Sequence, residues 1–436
     1  MTTPSPAVTP DRIAAELTAS RDRSLALLAP LDERDLTRQV SPLMSPLVWD
    51  LAHIGNYEEL WLLREVAGVE PLRPEIDSLY DAFEHPRAER PSLPILGPAD
   101  ARTYLSGVRN HVLDVLDRTP LEGRALTRDG FVFGMVVQHE HMHDETILAT
   151  LQLRVGSRTL PADGSLPRGR PVVPHDDVLV PGGVSTQGTS TDPWALDNER
   201  PAHRVELASF RIDRTPVTAG MFASFVEAGG YADPRLWTPA GWAHVQASGR
   251  RAPMTWQRDG AGGWTSTRFG EVEPVELDAP VQHVCSFEAD AYASWAGRRL
   301  PTEAEWEKAC GWDPVAGRLR RYPWGDGDPT PELANLGQHA TRPASVGAYP
   351  AGASAYGVEQ MVGDVWEWTS SGFDPYPGTR AFPYPEYSEV FYGGDFRVLR
   401  GGSWATHATA VRTTFRNWDL PVRRQVFSGF RTAAQV

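Results

Sequence analysis

Cysteine is nearly absent from this chain, whose 436 residues include only Cys285 and Cys310. Two cysteines exclude a disulfide framework or a cysteine-rich zinc site, and they are typical of a reducing compartment. No stretch approaches the roughly 20 apolar residues that span a bilayer. The first residues lack the cationic segment and apolar run of a signal peptide. We therefore expect a cytoplasmic protein without a membrane partner.

Basic residues are fewer than acidic ones. The chain has 42 lysine and arginine residues and 56 aspartate and glutamate residues, which gives a formal net charge of −14. A protein that neutralises nucleic-acid phosphates concentrates lysine and arginine, so we expect no nucleic-acid partner. The hydrophobic content of 41% allows sizeable cores. A chain of this length predicts two or more domains, but nothing in it indicates an oligomeric state.

Residues 1–155 are predicted to form a four-helix bundle. Apolar residues recur at helical spacing over 12–31, and a second helix is predicted to open at Ser45-Pro46, as a cap and a first-turn proline. Two further helices are predicted over 98–116 and 130–155. Metal and ligand sites of such bundles are built from side chains that face inward.

The chain changes character after the bundle. Residues 156–175 are rich in glycine, proline and arginine without periodicity, which predicts a linker. Over 176–436, short β-type runs alternate with long irregular stretches, and Thr302 with Glu305 forms a capping box before one clear helix. This part is predicted to be one α+β domain with large loops.

The bundle contains a candidate metal site. His139 and His143 are four residues apart, so they lie on one face of the fourth helix, whereas His141 points away. His53 on the second helix is the natural third ligand. The spacing alone suits iron, zinc or nickel.

Two other interpretations of the same histidines remain open. The stretch from His139 to His143 also matches H-E-x-x-H, with Glu140 as the base of a zinc-dependent hydrolase. The second interpretation is a binding module that contains a metal but catalyses no reaction.

Specific motifs then indicate the families. The bundle with its HxxxH pair resembles DinB-like four-helix domains. The second part resembles the formylglycine-generating-enzyme domain, a C-type-lectin-related α+β fold, through VLVPGGV, GRRLPTEAEWEKA, YPWGD, GDVWEWTSS, VLRGGSW and SGFR. The two in this order resemble the ergothioneine-biosynthesis sulfoxide synthases.

This resemblance implies an enzyme that holds iron(II) through His53, His139 and His143 and uses dioxygen as a co-substrate. It implies that the sulfur of a cysteine-containing thiol is joined to C2 of the imidazole of hercynine (Nα-trimethylhistidine), giving a sulfoxide. Formylglycine chemistry is not expected, because the segment after GGSW has no cysteine. Cys285 and Cys310 are expected to be core residues.

The resemblance also implies roles for substrate-binding and catalytic residues. Residues matched to the thiol substrate are Arg87, Arg90, Asp419 and Arg423, whose charges favour γ-glutamylcysteine over cysteine. Asn417 and Trp418 are matched to hercynine, and Tyr384 is the favoured proton donor, with Tyr387 as its neighbour or substitute. Met142 stands where many relatives carry a glutamine that could hydrogen-bond the hercynine ring.

Overall fold

The computed structural model describes residues 8–154, 160 and 164–436. These residues form two compact units. The helical unit is made of the described residues of 6–161 together with 269–271, and the α+β unit of those of 162–268 and 272–436. No helix within the described part of the chain has the length and apolar character needed to cross a membrane.

The helical unit is a bundle, as predicted. Its described α-helices are α1 Pro10–Leu28, α2 Glu33–Thr37, α3 Leu47–Glu58, α4 Pro98–Leu116 and α5 Phe131–Gln152. Of the four long helices, α1 packs on α5, and α3 packs on both α4 and α5. Apolar residues at helical spacing, such as Ile13 and Leu17 in α1, are fully buried between them.

The start of α3 differs from the predicted cap. Pro46 is the residue before the helix rather than a first-turn residue, and no side chain caps this end. The hydroxyl of Ser45 instead accepts a hydrogen bond of 2.7 Å from Nη1 of Arg90. The prediction of a Ser45 cap is therefore wrong, because a tertiary contact takes the hydroxyl. At the other end, α5 ends at Gln152, and residue 155 of the predicted helix lies outside the described residues.

Helix α3 continues directly into a π-helical segment, Glu59–Val66. Before it, Gly55 lies so close to α4 that a β-carbon there would be 3.0 Å from Cδ1 of Leu105. Within it, the buried carboxylate of Glu59 accepts hydrogen bonds from the backbone of Leu72, at 2.7 Å, and from the phenol of Tyr104. π-Helical segments are often found beside functional sites.

A buried ion-pair network joins the four long helices. Arg21 of α1 contacts Glu58 of α3 at 2.6 Å and Glu140 of α5 at 2.7 Å. Arg109 of α4 contacts the same two carboxylates at 2.5 and 3.0 Å. Because two cations face two anions, the charges balance, and removing one partner would cost about 3–5 kcal/mol. The network holds α3 and α5, which carry the histidines, in one arrangement.

The α+β unit is built around several small sheets. Its described strands are β1 Asp177–Val180, β2 Gly183–Gln187, β3 His203–Leu207, β4 Phe210–Asp213, β5 Trp256–Arg258, β6 Trp264–Arg268, β7 Glu271–Pro274, β8 Trp312–Asp313, β9 Arg318–Leu319, β10 Trp366–Gly372, β11 Arg397–Arg400, β12 Asn417–Asp419, β13 Ser428–Gly429 and β14 Ala433–Gln435. The strand orders are β1-β4-β14, β12-β11-β10-β13, β2-β3, β5-β6-β7 and β8-β9. In the four-stranded sheet, β10 pairs with β11 antiparallel and with β13 parallel.

Four α-helices accompany the sheets in the described part of this unit: α6 Ala219–Glu227, α7 Pro239–Ser248, α8 Ser286–Trp295 and α9 Glu303–Gly311. The predicted capping box at α9 is confirmed. The hydroxyl of Thr302 accepts from the Glu305 N–H at 3.2 Å, and the Glu305 carboxylate accepts from the Thr302 N–H at 2.8 Å.

Two buried arginines, Arg400 of β11 and Arg416 just before β12, bind glutamates of α9. Nη2 of Arg400 donates to Glu307 at 2.6 Å, and its Nη1 donates to Glu303 at 2.9 Å. Arg416 donates to the same Glu303 carboxylate at 2.7 and 2.9 Å. Since Arg416 directly precedes β12, this contact fixes the position of the segment that contains the predicted hercynine residues. The predicted α+β unit with large loops is confirmed.

Part of the predicted linker can be described. Residues 155–159 and 161–163 lie outside the described residues. Leu166 packs on a small core cluster that includes Ala344 and Tyr349, and the Arg170 N–H donates to the Val346 carbonyl at 3.2 Å. Residues 164–174 are thus attached to the α+β unit.

Candidate metal centre

Three histidines converge in the helical unit. His139 and His143 lie one turn apart on α5, and His53 lies on α3. One ring nitrogen of each histidine lies within 4.8 Å of one from each of the other two. The ring centroids are 4.6 to 5.1 Å apart. Three nitrogens this close together could hold one metal ion.

The second ring nitrogen of two of these histidines is hydrogen-bonded. Nδ1 of His53 lies 2.8 Å from the Tyr80 carbonyl, and Nδ1 of His143 lies 3.1 Å from Oδ1 of Asp50. A hydrogen bond at Nδ1 orients the ring and leaves Nε2 as the ligand atom. The ring of His139 stacks on Tyr57, at 3.7 Å between centroids and 13° between planes.

Two of the three histidines, His53 and His139, are held in their neutral form. Burial lowers the pKa of both His53 and His139 well below the usual value for histidine, and the His143 imidazole lowers them further. Metal ligands must be deprotonated, so such imidazoles suit a divalent metal ion without the release of a proton. The three donors therefore fit a metal ion on their own chemistry.

His141 does not take part, as predicted. Its Nδ1 lies 3.0 Å from Oδ2 of Asp144, on another face of α5. Burial lowers the pKa of His141 to about 3, so its imidazole is uncharged at neutral pH, and burial raises the pKa of Asp144 to about 8.

Glu140, the proposed base of the hydrolase interpretation, is already bound in an ion-pair network. Its carboxylate is buried and is bound by Arg21 and Arg109 in the ion-pair network. Burial alone would raise the pKa of Glu140, but the two guanidinium groups hold it well below the usual value. A general base needs a pKa near the working pH and a free path to the metal-bound water. The H-E-x-x-H interpretation is therefore not supported.

Arg87 and Arg90 have different surroundings. Arg90 is buried and lies over the ring of Trp49, with 3.5 Å from Cζ to the ring centroid, and burial lowers its pKa to about 10. Arg87 is half-buried and donates to the Leu43 carbonyl at 3.0 Å. Met142, the residue before His143, is half-buried on α5.

Three predicted substrate residues form β12 in the α+β unit. These are Asn417, Trp418 and Asp419. The indole of Trp418 stacks on Phe373, at 4.1 Å between centroids and 8° between planes. The guanidinium of Arg416 lies 4.7 Å from the centroid of Phe373.

Arg423 follows β12 and is incompletely paired. Its Nε lies 3.4 Å from Oδ1 of Asp419. Nε and Nη1 are nevertheless buried and make no hydrogen bond among the described residues. A buried guanidinium with unused donors is costly, and a bound carboxylate would satisfy it.

Tyr384 and Tyr387 lie together in the loop before β11. Their ring centroids are 6.0 Å apart, and the Tyr387 ring lies 6.1 Å from that of Trp418. Burial raises the pKa of Tyr387 well above the usual tyrosine value, so its phenol keeps its proton. Nearby, the buried hydroxyl of Ser388 donates to Oδ1 of Asp197 at 2.6 Å.

Sequence reasoning missed several residues that orient the site. Along α3 and the π-helical segment after it, the missed residues Trp49, Tyr57 and Trp61 form a row with the predicted His53, at every fourth residue. Consecutive rings of this row contact each other. This aromatic row was visible in the sequence. Asp50, Phe373 and Ser388 had no comparable signal, because their partners are distant in the chain.

Comparisons with known proteins agree with both units. The "Sulfatase-modifying factor enzyme 1-like domain" family matches residues 165–436, and the "DinB superfamily" matches residues 16–147. The hercynine oxygenase of Mycolicibacterium smegmatis is 55% identical over 434 residues, or 98% of this chain and 99% of that protein. That of Mycobacterium tuberculosis is 54% identical over 97% of this chain and 99% of its own. A solved structure, PvdO from Pseudomonas aeruginosa, is 23% identical with a TM-score of 0.39, and the match covers 60% of this chain and 94% of PvdO.

Proposed function

Since this chain belongs to the hercynine oxygenase family, we propose that it is a sulfoxide synthase of ergothioneine biosynthesis. In this reaction the sulfur of γ-glutamylcysteine, or of cysteine, is joined to C2 of the hercynine imidazole. Dioxygen is the oxidant and the product is a sulfoxide. The observation that carries the proposal is the convergence of three imidazoles, with one ring nitrogen of each within 4.8 Å of the others.

Iron(II) is the proposed metal, held by His53, His139 and His143. Imidazole ligands suit iron, and three of them leave coordination positions open for substrates. When bound, iron supplies the redox chemistry with dioxygen and lowers the pKa of a coordinated thiol. Two neighbouring groups orient the imidazoles: the Asp50 carboxylate holds His143, and the Tyr80 carbonyl holds His53.

Arginines and one aspartate are the proposed partners of the thiol substrate. The unused buried donors of Arg423 call for a carboxylate, and Asp419 beside it suits an ammonium group. Arg87 and Arg90 are proposed to bind a further carboxylate. These charges exceed what cysteine needs, which favours γ-glutamylcysteine as the thiol.

Trp418 and Asn417 are the proposed partners of hercynine. An indole face attracts a quaternary ammonium through the ring quadrupole. One face of Trp418 is covered by Phe373, which orients the ring for such a contact. Met142 is proposed to contact the substrate ring through its apolar thioether, since it cannot donate a hydrogen bond as glutamine would.

Tyr384 is the proposed proton donor, with Tyr387 as its neighbour or substitute. Burial raises the pKa of Tyr387, so its phenol keeps its proton at neutral pH but is a weaker acid than an ordinary tyrosine. Replacing each tyrosine by phenylalanine separates the two. The variant that loses the sulfoxide while it keeps its substrate affinity identifies the donor.

The experiment that tests the function uses the full chain loaded anaerobically with iron(II). Hercynine, γ-glutamylcysteine and oxygen are then added, and mass spectrometry is expected to detect a coupled sulfoxide with matching oxygen consumption. The variant His139→Ala is expected to form none. The proposal fails if the wild-type protein forms no sulfoxide with either γ-glutamylcysteine or cysteine. Competition between the two thiols in one reaction assigns the preferred donor.

A cytoplasmic location and small-molecule partners complete the proposal. The location is supported by the two cysteines, which remain free thiols. The acidic net charge of −14 gives no support for a nucleic-acid partner.

A further inference from the structure

Three flat groups form a continuous stack in the helical unit. The guanidinium of Arg90 lies 3.5 Å from the centroid of the Trp49 ring. On Trp49 the imidazole of His53 stacks with 4.6 Å between centroids and 13° between planes. Trp49 and His53 are four residues apart on α3, the spacing that places one side chain above the next. The stack therefore extends from the loop that contains Arg90 to one of the three convergent histidines.

The edges of the two rings are fixed by neighbouring carbonyls. Nε1 of Trp49 donates to the Leu79 carbonyl at 2.9 Å, and Nδ1 of His53 lies 2.8 Å from the Tyr80 carbonyl. Both carbonyls belong to the same short 3₁₀ helix, Pro74–Tyr80. A displacement of the indole would therefore act on the imidazole through the stack and through this shared segment.

Arg90 is held in place by the protein itself. Its Nε, Nη1 and Nη2 donate to the His85 carbonyl, the Ser45 hydroxyl and the Ala82 carbonyl, at 3.1, 2.7 and 3.3 Å. A guanidinium group has more N–H donors than these contacts use, so Arg90 can still donate to a carboxylate. Its plane is fixed against Trp49, whereas Arg87 stacks on no aromatic ring of the described residues.

We infer that Trp49 is a positioning residue that joins the thiol-binding arginine Arg90 to the metal ligand His53. This inference rests on the proposed function for the role of Arg90. In this assignment Trp49 touches neither substrate nor metal. It acts by fixing the position of the Arg90 guanidinium relative to the His53 imidazole. Its loss should therefore alter metal affinity and thiol affinity together and leave hercynine affinity unchanged.

The test compares four variants of the full chain. Trp49→Leu removes the flat ring, and Trp49→Phe keeps one. Arg90→Lys keeps the charge but cannot stack as a planar group. The control is Val112→Ala, a truncation of a fully buried residue of α4 outside the stack. Anaerobic competition with a chromogenic chelator measures the iron(II) dissociation constant, and steady-state kinetics gives KM for each substrate.

Trp49→Leu is expected to weaken iron binding by roughly 10- to 100-fold, the range for groups that orient metal ligands. The KM for γ-glutamylcysteine should rise in the same variant, and that for hercynine should not. Trp49→Phe should lie between wild type and Trp49→Leu on both measurements. Arg90→Lys should raise the thiol KM and also weaken iron binding in the absence of any substrate.

The inference is overturned if iron affinity is the same in Arg90→Lys and wild type, or if Val112→Ala shifts iron affinity as much as Trp49→Leu does. A Trp49→Leu chain that does not fold leaves the decision to Arg90→Lys and Trp49→Phe, in which the indole or a ring is retained. Absence of turnover in the wild type would contradict the proposed function only, because the iron affinities are measured without substrate.

Discussion

The carboxylate of Asp50 determines the orientation of the His143 ring through the hydrogen bond of 3.1 Å at Nδ1. Asp50 is itself buried, so the surrounding packing limits its movement. We predict that Asp50→Asn weakens iron(II) binding by roughly 10- to 100-fold, because a neutral amide is a poorer partner for the imidazole N–H. Chelator competition measures the change. Asp100→Asn, the same substitution at an exposed position of α4, is expected to bind iron as the wild type does. Equal affinities for all three proteins would contradict this role.

The two cysteines are predicted to be unreactive in the folded protein. Both are buried and free, and burial raises the pKa of Cys285 above the usual thiol value and that of Cys310 to about 12. Since the thiolate is the nucleophile, a thiol-reactive chromogen at pH 8 should label neither residue before denaturation. After denaturation it should label both. Rapid labelling of the native protein would show that a cysteine is accessible.

At the residue scale, the sequence predicted what depends on local spacing. His139 and His143 could be paired from their separation on one helix, and the two cysteines were expected in the core because they lie in or beside predicted helices. Arg87 and Arg90 were treated alike, because two nearby arginines look equivalent in a sequence. The structure separates them: Arg90 is buried over Trp49, and that contact depends on how the loop folds back onto α3.

At the element scale, helices were predicted more accurately than their ends. The predicted third helix, 98–116, coincides with α4, because its apolar spacing and its first-turn proline are local signals. Ser45 did not cap α3, since Arg90 competes for its hydroxyl. The parallel pairing of β10 with β13 joins segments about 60 residues apart, and no local pattern predicts such pairing.

The loop with the two tyrosines is fixed at its base by Ser388. Its hydroxyl donates to Asp197 at 2.6 Å and accepts from Asn198 Nδ2 at 3.0 Å. We predict that Ser388→Ala lowers kcat by about tenfold with little change in KM, because a proton donor displaced by a fraction of an ångström loses much of its rate advantage. Steady-state kinetics with both substrates measures the effect.

The matched control for this loop is Glu389→Gln, at the next, exposed residue, which should leave kcat unchanged. Combining Ser388→Ala with the phenylalanine variant of the donor tyrosine should add no further loss, since both changes act through one phenol. Additive losses in the double variant would instead indicate that Ser388 acts on a different step.

At the scale of the whole molecule, buried ion pairs recur in both units. The helical unit pairs Arg21 and Arg109 with Glu58 and Glu140, and the α+β unit pairs buried arginines with glutamates of α9. Charged residues are usually assigned to the surface in a sequence, so this internal scaffold was not predicted. The two folds and their order along the chain were predicted, because each fold has motifs that can be identified directly in the sequence.

Metal binding is predicted to stabilise the helical unit selectively. A ligand that binds only the folded state adds RT ln(1 + [L]/Kd), about 2.7 kcal/mol when free iron(II) is at 100 times Kd. Hydrogen exchange measured by mass spectrometry should therefore slow in α3 and α5 when iron(II) is added anaerobically, with no change in β1, β4 and β14. The variant His139→Ala should show no such protection, because it lacks one of the three ligands. Slower exchange in that variant, or equal slowing in the β1-β4-β14 sheet, would mean that iron(II) binds elsewhere in the chain.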